Sequence, residues 1–153
     1  MRLALFIMIV LAAVGIACSS SVDLDATPSL DIGQDICEQC GMIISEEAYA
    51  SAYRLNNGRQ KLFDDIGDMV TYHRLHREDV YVFWVHDYSS LEWIRAENAY
   101  FVASTDLVTP MGGGIAAFAD RAAAESMAVE RNGVIHRFDG LTAQPIEKLQ
   151  RQP

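Results

Sequence analysis

The sequence predicts an α+β fold of two ββαβ units packed together, and three observations carry that prediction. Strand-like and helix-like patterns alternate in one order, strand, strand, helix, strand, twice along the chain. An Asn57-Gly58 step separates two short strand-like runs, the strongest local signal of a hairpin. Half of the 153 residues are hydrophobic, enough to build one compact domain or two small units sharing a core.

The chain begins with a targeting pattern. Arg2 gives a positive start, an unbroken apolar run follows from Leu3 to Val14, and Gly15, Ile16 and Ala17 lead into Cys18. The run reads as the apolar region of a signal peptide and is short for a membrane span. A cysteine directly after the cut site marks a lipoprotein, whose several acyl chains on one residue anchor it stably. Gly15 stands where leucine is usual. The rival readings are an uncleaved N-terminal helix, or cleavage nearby with Cys18 lost. Residues 1–17 are therefore predicted as signal peptide and 18–34 as a lipidated polar tether, since Ser19-Ser20-Ser21 and the Asp-rich stretch after it show no periodicity.

Residues 35–88 are predicted as the first ββαβ unit. Ala48 to Leu55 alternates as a strand, Asn56-Asn57-Gly58 turns, and Arg59 to Phe63 returns. Asp64 or Asp65 caps a helix on which Ile66, Met69, Val70 and His73 share one face. Val80 to Val85 is a buried strand of β-branched and aromatic residues. Residues 89–141 are predicted as the second unit. It has strands at Leu91–Arg95 and Tyr100–Ala103, a loop at Pro110–Gly114, and a helix from Ile115 to Val129 closed by Asn132-Gly133. A last strand covers Val134–Phe138. Residues 142–153 read as a polar tail.

The net charge of −9 argues against nucleic acid and against electrostatic binding to an anionic membrane face, and is compatible with cations or a basic partner. With Cys18 lipidated, only Cys37 and Cys40 remain, and in an oxidising compartment such a pair is a disulfide, a metal site or a redox couple. Cys37-Glu38-Gln39-Cys40-Gly41-Met42 gathers two thiols and a thioether, and soft sulfur donors select soft ions, above all Cu(I). Met111 adds a second thioether in a glycine loop, Pro110-Met111-Gly112-Gly113-Gly114. Met69 and Met127 read as core. A structural zinc would need two of His73, His76, His86 and His136 at a spacing unlike any zinc finger. His73 and His76 read as solvated helix-end groups, and His86 as a hydrogen-bonded structural residue with Asp87 beside it. A redox role for Cys37 and Cys40 lacks the helix N-terminus that lowers a thiol pKa. A disulfide clip across so short a loop would add little stability. No serine has the setting of a nucleophile, so catalysis is not expected.

The succession of the lipobox, Cys37-x-x-Cys40-Gly41-Met42, Phe63-Asp64-Asp65, Val85-His86-Asp87-Tyr88, Trp93, Ala99–Val102, Pro110–Gly114, Ala117-Phe118 and Arg137-Phe138 resembles the NosL family from about Cys37 to Leu141. The resemblance implies a periplasmic, lipid-anchored Cu(I) chaperone that serves nitrous oxide reductase together with a membrane transporter complex. It implies two ββαβ units akin to the core of organomercurial lyase. Cys40, Met42 and Met111 are the ligands it carries over, with Cys37 as a further candidate, and it leaves a homodimer open. Ser19 after Cys18 fits outer-membrane sorting by the same analogy.

Overall fold

The computed structural model describes residues 22–150. The predicted signal peptide and Cys18 lie outside the described residues. Strands β1 (Ser51–Leu55), β2 (Gln60–Phe63), β3 (Val80–His86) and β4 (Trp93–Arg95) form an antiparallel sheet in the order β2-β1-β3-β4. Strands β5 (Tyr100–Ala103), β6 (Ile115–Phe118) and β7 (Val134–His136) form a second, in the order β6-β5-β7. Helix α1 (Ile66–His76) links β2 to β3, and α2 (Arg121–Glu130) links β6 to β7. Short helices α3 (Phe138–Ala143) and α4 (Ile146–Leu149) close the described chain. The fold is α+β, and each sheet places the first strand of its strand–strand–helix–strand run in the middle.

Local chemistry explains most element ends. The β1–β2 turn is tied by the Gly58 N–H to Leu55 O at 2.9 Å and by the Leu55 N–H to Arg59 O at 2.9 Å. Only Gly58 takes positive φ there, +86°, so the turn uses one left-handed residue where the Asn-Gly step offered two. Asp65 caps α1 and Asp120 caps α2, each accepting from the N–H two residues on. Arg77 at φ 48° and Asn132 at φ 49° end the two helices in the left-handed region.

Three sequence expectations are corrected. Ile115–Phe118 is a strand, because all four residues are buried and pair with β5, which outweighs the helix preference of its alanines. The strand at Leu91–Arg95 shortens to β4 and joins the first sheet, so the predicted second unit begins effectively at Tyr100. Phe138 opens a helix rather than ending a strand, and the tail buries Leu149 completely.

The stretch expected to be a free polar tether is docked from Val22 onward. Arg54, on the outer face of the first sheet, donates through Nη1 to the carbonyls of Asp23 at 2.7 Å and Ala26 at 2.8 Å. Gln60, on the same face, donates to Ser29 O at 2.7 Å. Tyr81 and Arg95 hold Asp25, and Pro28 is buried. This strap explains why β1 is buried on both faces. The opposite face carries Tyr53 into the main core with Phe63, Ile66, Met69, Phe101, Ile115 and Leu141, which spans both sheets. Each such side chain contributes about 1.5–3 kcal/mol by leaving water. A smaller cluster under α2, with Val102, Ala116, Phe118 and Ala124, has Met127 packed against it.

Candidate metal centre

The two cysteines sit at the tip of a short ribbon whose arms are bridged at Ile36 and Ile43. The Cys37 N–H donates to Met42 O at 2.8 Å, and the Gly41 N–H returns to Cys37 O at 2.9 Å. The loop closes this tightly because Gly41 takes φ +73°, a conformation costly for any side chain. The Glu38 N–H donates to Leu62 O at 2.9 Å, seating the ribbon on β2 near the start of α1.

That placement brings the thiols to the first turn of α1. Cys37 is 1% exposed and Cys40 half-buried, and both thiols are free. Cys37 Sγ lies 3.5 Å from Asp68 Oδ2. One donor atom from each of Cys37, Cys40 and Asp68 lies within 4.8 Å of the others, the one such cluster of three among the described residues. Burial pushes the Cys37 thiol up to about 11, against the pull of the backbone N–H groups of Asp64, Cys40 and Gln39. Burial also raises Asp68, with the Cys37 hydrogen bond opposing it and the Asp65 charge adding to it. The Cys37 thiol thus donates its hydrogen bond to Asp68, and a metal ion bound there would take the place of that proton.

Met111 reaches the same turn from the second sheet. Asp65, fully buried, accepts from the Gly67 N–H at 2.7 Å, as the cap of α1. Its other oxygen accepts from the Met111 and Gly113 N–H groups, each at 3.2 Å, and from the Thr109 hydroxyl. One carboxylate thus fixes both the helix start and the methionine loop. Gly113 permits this, since a Cβ there would overlap the Asp65 carboxylate. Met42 and Met111 are 48% and 37% exposed, unusual for thioethers and open to an incoming ion.

The structure brings Cys37 and Cys40 together, keeps Met42 on their ribbon, and ties the backbone of Met111 to the helix turn that carries Asp68. Sequence reasoning does not place Asp68 at the metal site: with Asp64 and Asp65 it reads as a set of paired carboxylates or, more plainly, as an acidic helix start. Its signal is the spacing: it stands three residues after the cap, on the turn the ribbon meets. The histidines go elsewhere. His86 is buried, with Nδ1 at 3.2 Å from Ala50 O and its ring 3.7 Å from that of Trp93, while Asp87 accepts from the Ala119 and Ser90 N–H groups. His73 is not the solvated group expected, because its ring packs edge-on against Phe83 and Tyr53. His136 Nε2 lies 3.0 Å from Leu149 O.

A family model described as NosL matches residues 31–146. No curated protein matches the chain. Among solved structures, the crystal structure of the copper chaperone NosL from Shewanella denitrificans is similar, with a TM-score of 0.68 and 25% identity. The match covers 78% of this chain and 98% of that one.

Proposed function

The chain belongs to the NosL family, and from that premise we propose that it is a Cu(I) chaperone of the cell envelope. The single observation that carries this reading is the convergence of Cys37 and Cys40 with the Met111 loop on the first turn of α1. Two thiolates with one or two thioethers, from Met42 and Met111, match a soft monovalent ion and keep it reduced. Such a shell leaves room for a donor from a recipient, so copper leaves by ligand exchange. In the metal-free site Asp68 accepts the hydrogen bond of the Cys37 thiol and so orients that sulfur before a metal ion displaces the proton. The protein acts by binding and release and carries out no catalytic step.

The finer parts of the reading are as follows. Cys18 is lipidated and holds the chain to a membrane, the outer one, facing the periplasm. No helix among the described residues is long and apolar enough to cross a membrane. The copper recipient is nitrous oxide reductase, reached with its membrane transporter complex.

The test is an anaerobic titration of the reduced protein with Cu(I) against a strong colorimetric chelator, repeated with Zn²⁺. Cu(I) binding that outcompetes the chelator, lost in Cys40→Ser and weakened in Met111→Ala, supports the assignment. Preference for Zn²⁺ would favour a cysteine–carboxylate site through Asp68 instead and sink the copper reading.

A further inference from the structure

The strap that replaces the expected tether determines how the molecule stands. Val22 packs on the β1–β2 turn, where a Cβ on Gly58 would come within 3.1 Å of Val22 Cγ1. Cys18 lies four residues earlier. Four residues span at most about 14 Å even when fully extended. A folded domain of this size has a radius of gyration of about 14 Å, so the leash is shorter than the domain is wide. From Val22 the strap runs along the sheet through Arg54 and Gln60 to Gly33, whose N–H donates to Ile44 O in the metal-site ribbon. The cysteines meet β2 at Leu62 and α1 at Asp68, the far end of the hairpin from Gly58. The six residues from Gly58 to Asp64, extended as a strand, place the metal end about 20 Å beyond the turn.

Charge is divided along the same axis. Helix α1 runs back from the metal end, and the Asn56 N–H donating to Asp79 O brings its C-terminal side to the turn. Exposed Arg59 follows the turn, and exposed Arg74 and Arg77 lie at the C-terminal end of α1 with Leu75, which is 69% exposed. Of the acids there, Glu78 is engaged by Lys61 at 3.0 Å and by Tyr53, while Asp79 and, next to Val22, Asp23 are exposed, leaving three arginines against two exposed carboxylates. The metal-site segment from Asp31 to Glu47 contains Asp31, Asp35, Glu38, Glu46 and Glu47 and no lysine or arginine; of these acids Glu38 shares Lys61 with Glu78, at 3.7 Å.

We propose that the Arg59–Arg74–Arg77 end is a membrane-facing surface that rests on anionic phospholipid headgroups, holding the copper site outward into the periplasm. The inference rests on the anchoring at Cys18 proposed above. The short leash sets which end is near the bilayer. The chain's −9 opposes an anionic face as a whole, but the interaction reaches only about one Debye length, ~8–10 Å, so the end nearest the bilayer decides it: the arginines are attracted and the acidic ribbon repelled. Copper transfer then takes place to a recipient approaching from the aqueous side, not to one buried at the lipid surface beneath the domain.

The test uses full-length lipidated protein in phosphatidylethanolamine–phosphatidylglycerol vesicles containing an acceptor-labelled lipid. A donor dye is attached through a ketone-bearing amino acid placed at Asn57 or at Ser45, both exposed and at opposite ends. The proposal predicts energy transfer from position 57 at least twofold that from position 45. It also predicts that Arg59→Glu with Arg74→Glu narrows that ratio. Equal transfer from the two positions in protein that floats with the vesicles would overturn the orientation alone. An unchanged ratio in the charge-reversed protein would overturn the role of the arginines. Protein that does not float would overturn the anchoring, and the orientation with it.

Discussion

The two longer helices begin alike and end up with different work. Both are capped by an aspartate, Asp65 for α1 and Asp120 for α2, and both link the second strand of a sheet to its third. Asp120 is exposed, and its carboxylate accepts from the Ala122 N–H at 3.0 Å. Asp65 is fully buried and serves four donors, three of them on the Thr109–Gly113 loop. Three residues on, α1 carries Asp68 against Cys37, while α2 carries Ala123. A cap is a local device wherever it occurs. It organises a site only when burial turns its spare lone pairs toward a second segment and a neighbouring side chain meets a ligand.

The comparison is broken most forcefully by removing the caps. Asp65→Ala leaves the Met111 and Gly113 N–H groups and the Thr109 hydroxyl without their acceptor. It is expected to destabilise the protein by about 3 kcal/mol or more. Asp120→Ala removes one exposed cap and should lower stability by about 1 kcal/mol. Urea unfolding of both variants checks the difference, and equal losses would mean that Asp65 does no more than cap. Next in size is Asp68→Ala, expected to weaken Cu(I) binding roughly 10- to 100-fold while leaving the fold intact. Ala123→Ser, at the matching position of α2, is expected to leave chelator competition unchanged. Gly113→Ala pushes the methionine loop off Asp65, and should lower stability by about 1–2 kcal/mol. Its weakening of Cu(I) binding should not add to that of Met111→Ala, which double-variant titrations will show.

Much of this contrast is hidden in the sequence for identifiable reasons. The hairpin at Asn57-Gly58, Met69 in the core and the Asn132-Gly133 helix end were all legible, because each depends on residues within a few positions of one another. Cys37, Cys40, Met42 and Met111 can be picked out of the sequence as candidate soft donors, but nothing in the spacing says that the Met111 loop is tied by its backbone to the helix start that the cysteines meet. That meeting depends on one buried carboxylate, Asp65, which in sequence is indistinguishable from Asp64. Asp64 has a different task, accepting from the Ser45 N–H at 2.9 Å. The strap escaped notice because its grip comes from Arg54, a cation in the middle of an apolar strand. Ile115–Phe118 resembles a helix start in sequence because alanine favours a helix until a neighbouring strand offers its edge.

The smallest expected effect concerns pH, in a part of the molecule remote from the thiols. His86 is held below its ordinary value by burial, with the Ala50 carbonyl and the charges of Glu47 and Glu92 opposing. The native state therefore favours the neutral ring. As pH falls below the unfolded value of ~6.5, the unfolded chain takes up a proton that the folded one resists, so stability declines there and is fully present above about pH 7. Burial lowers His73 in the same sense. Melting temperatures should be flat from about pH 7 to 8 and fall toward pH 5.5, and His86→Gln should flatten part of that slope.

The central claim is that sulfur from the cysteine ribbon and from the Met111 loop converges on one copper ion, while Asp68, the acceptor of the Cys37 thiol proton in the metal-free site, stays outside the shell. X-ray absorption at the copper edge of the Cu(I)-loaded protein tests it most directly. The account predicts a first shell of sulfur alone, which loses one scatterer in Met111→Ala and is unchanged in composition by Asp68→Asn. An oxygen in the shell that disappears in Asp68→Asn, with no effect of Met111→Ala, would contradict it.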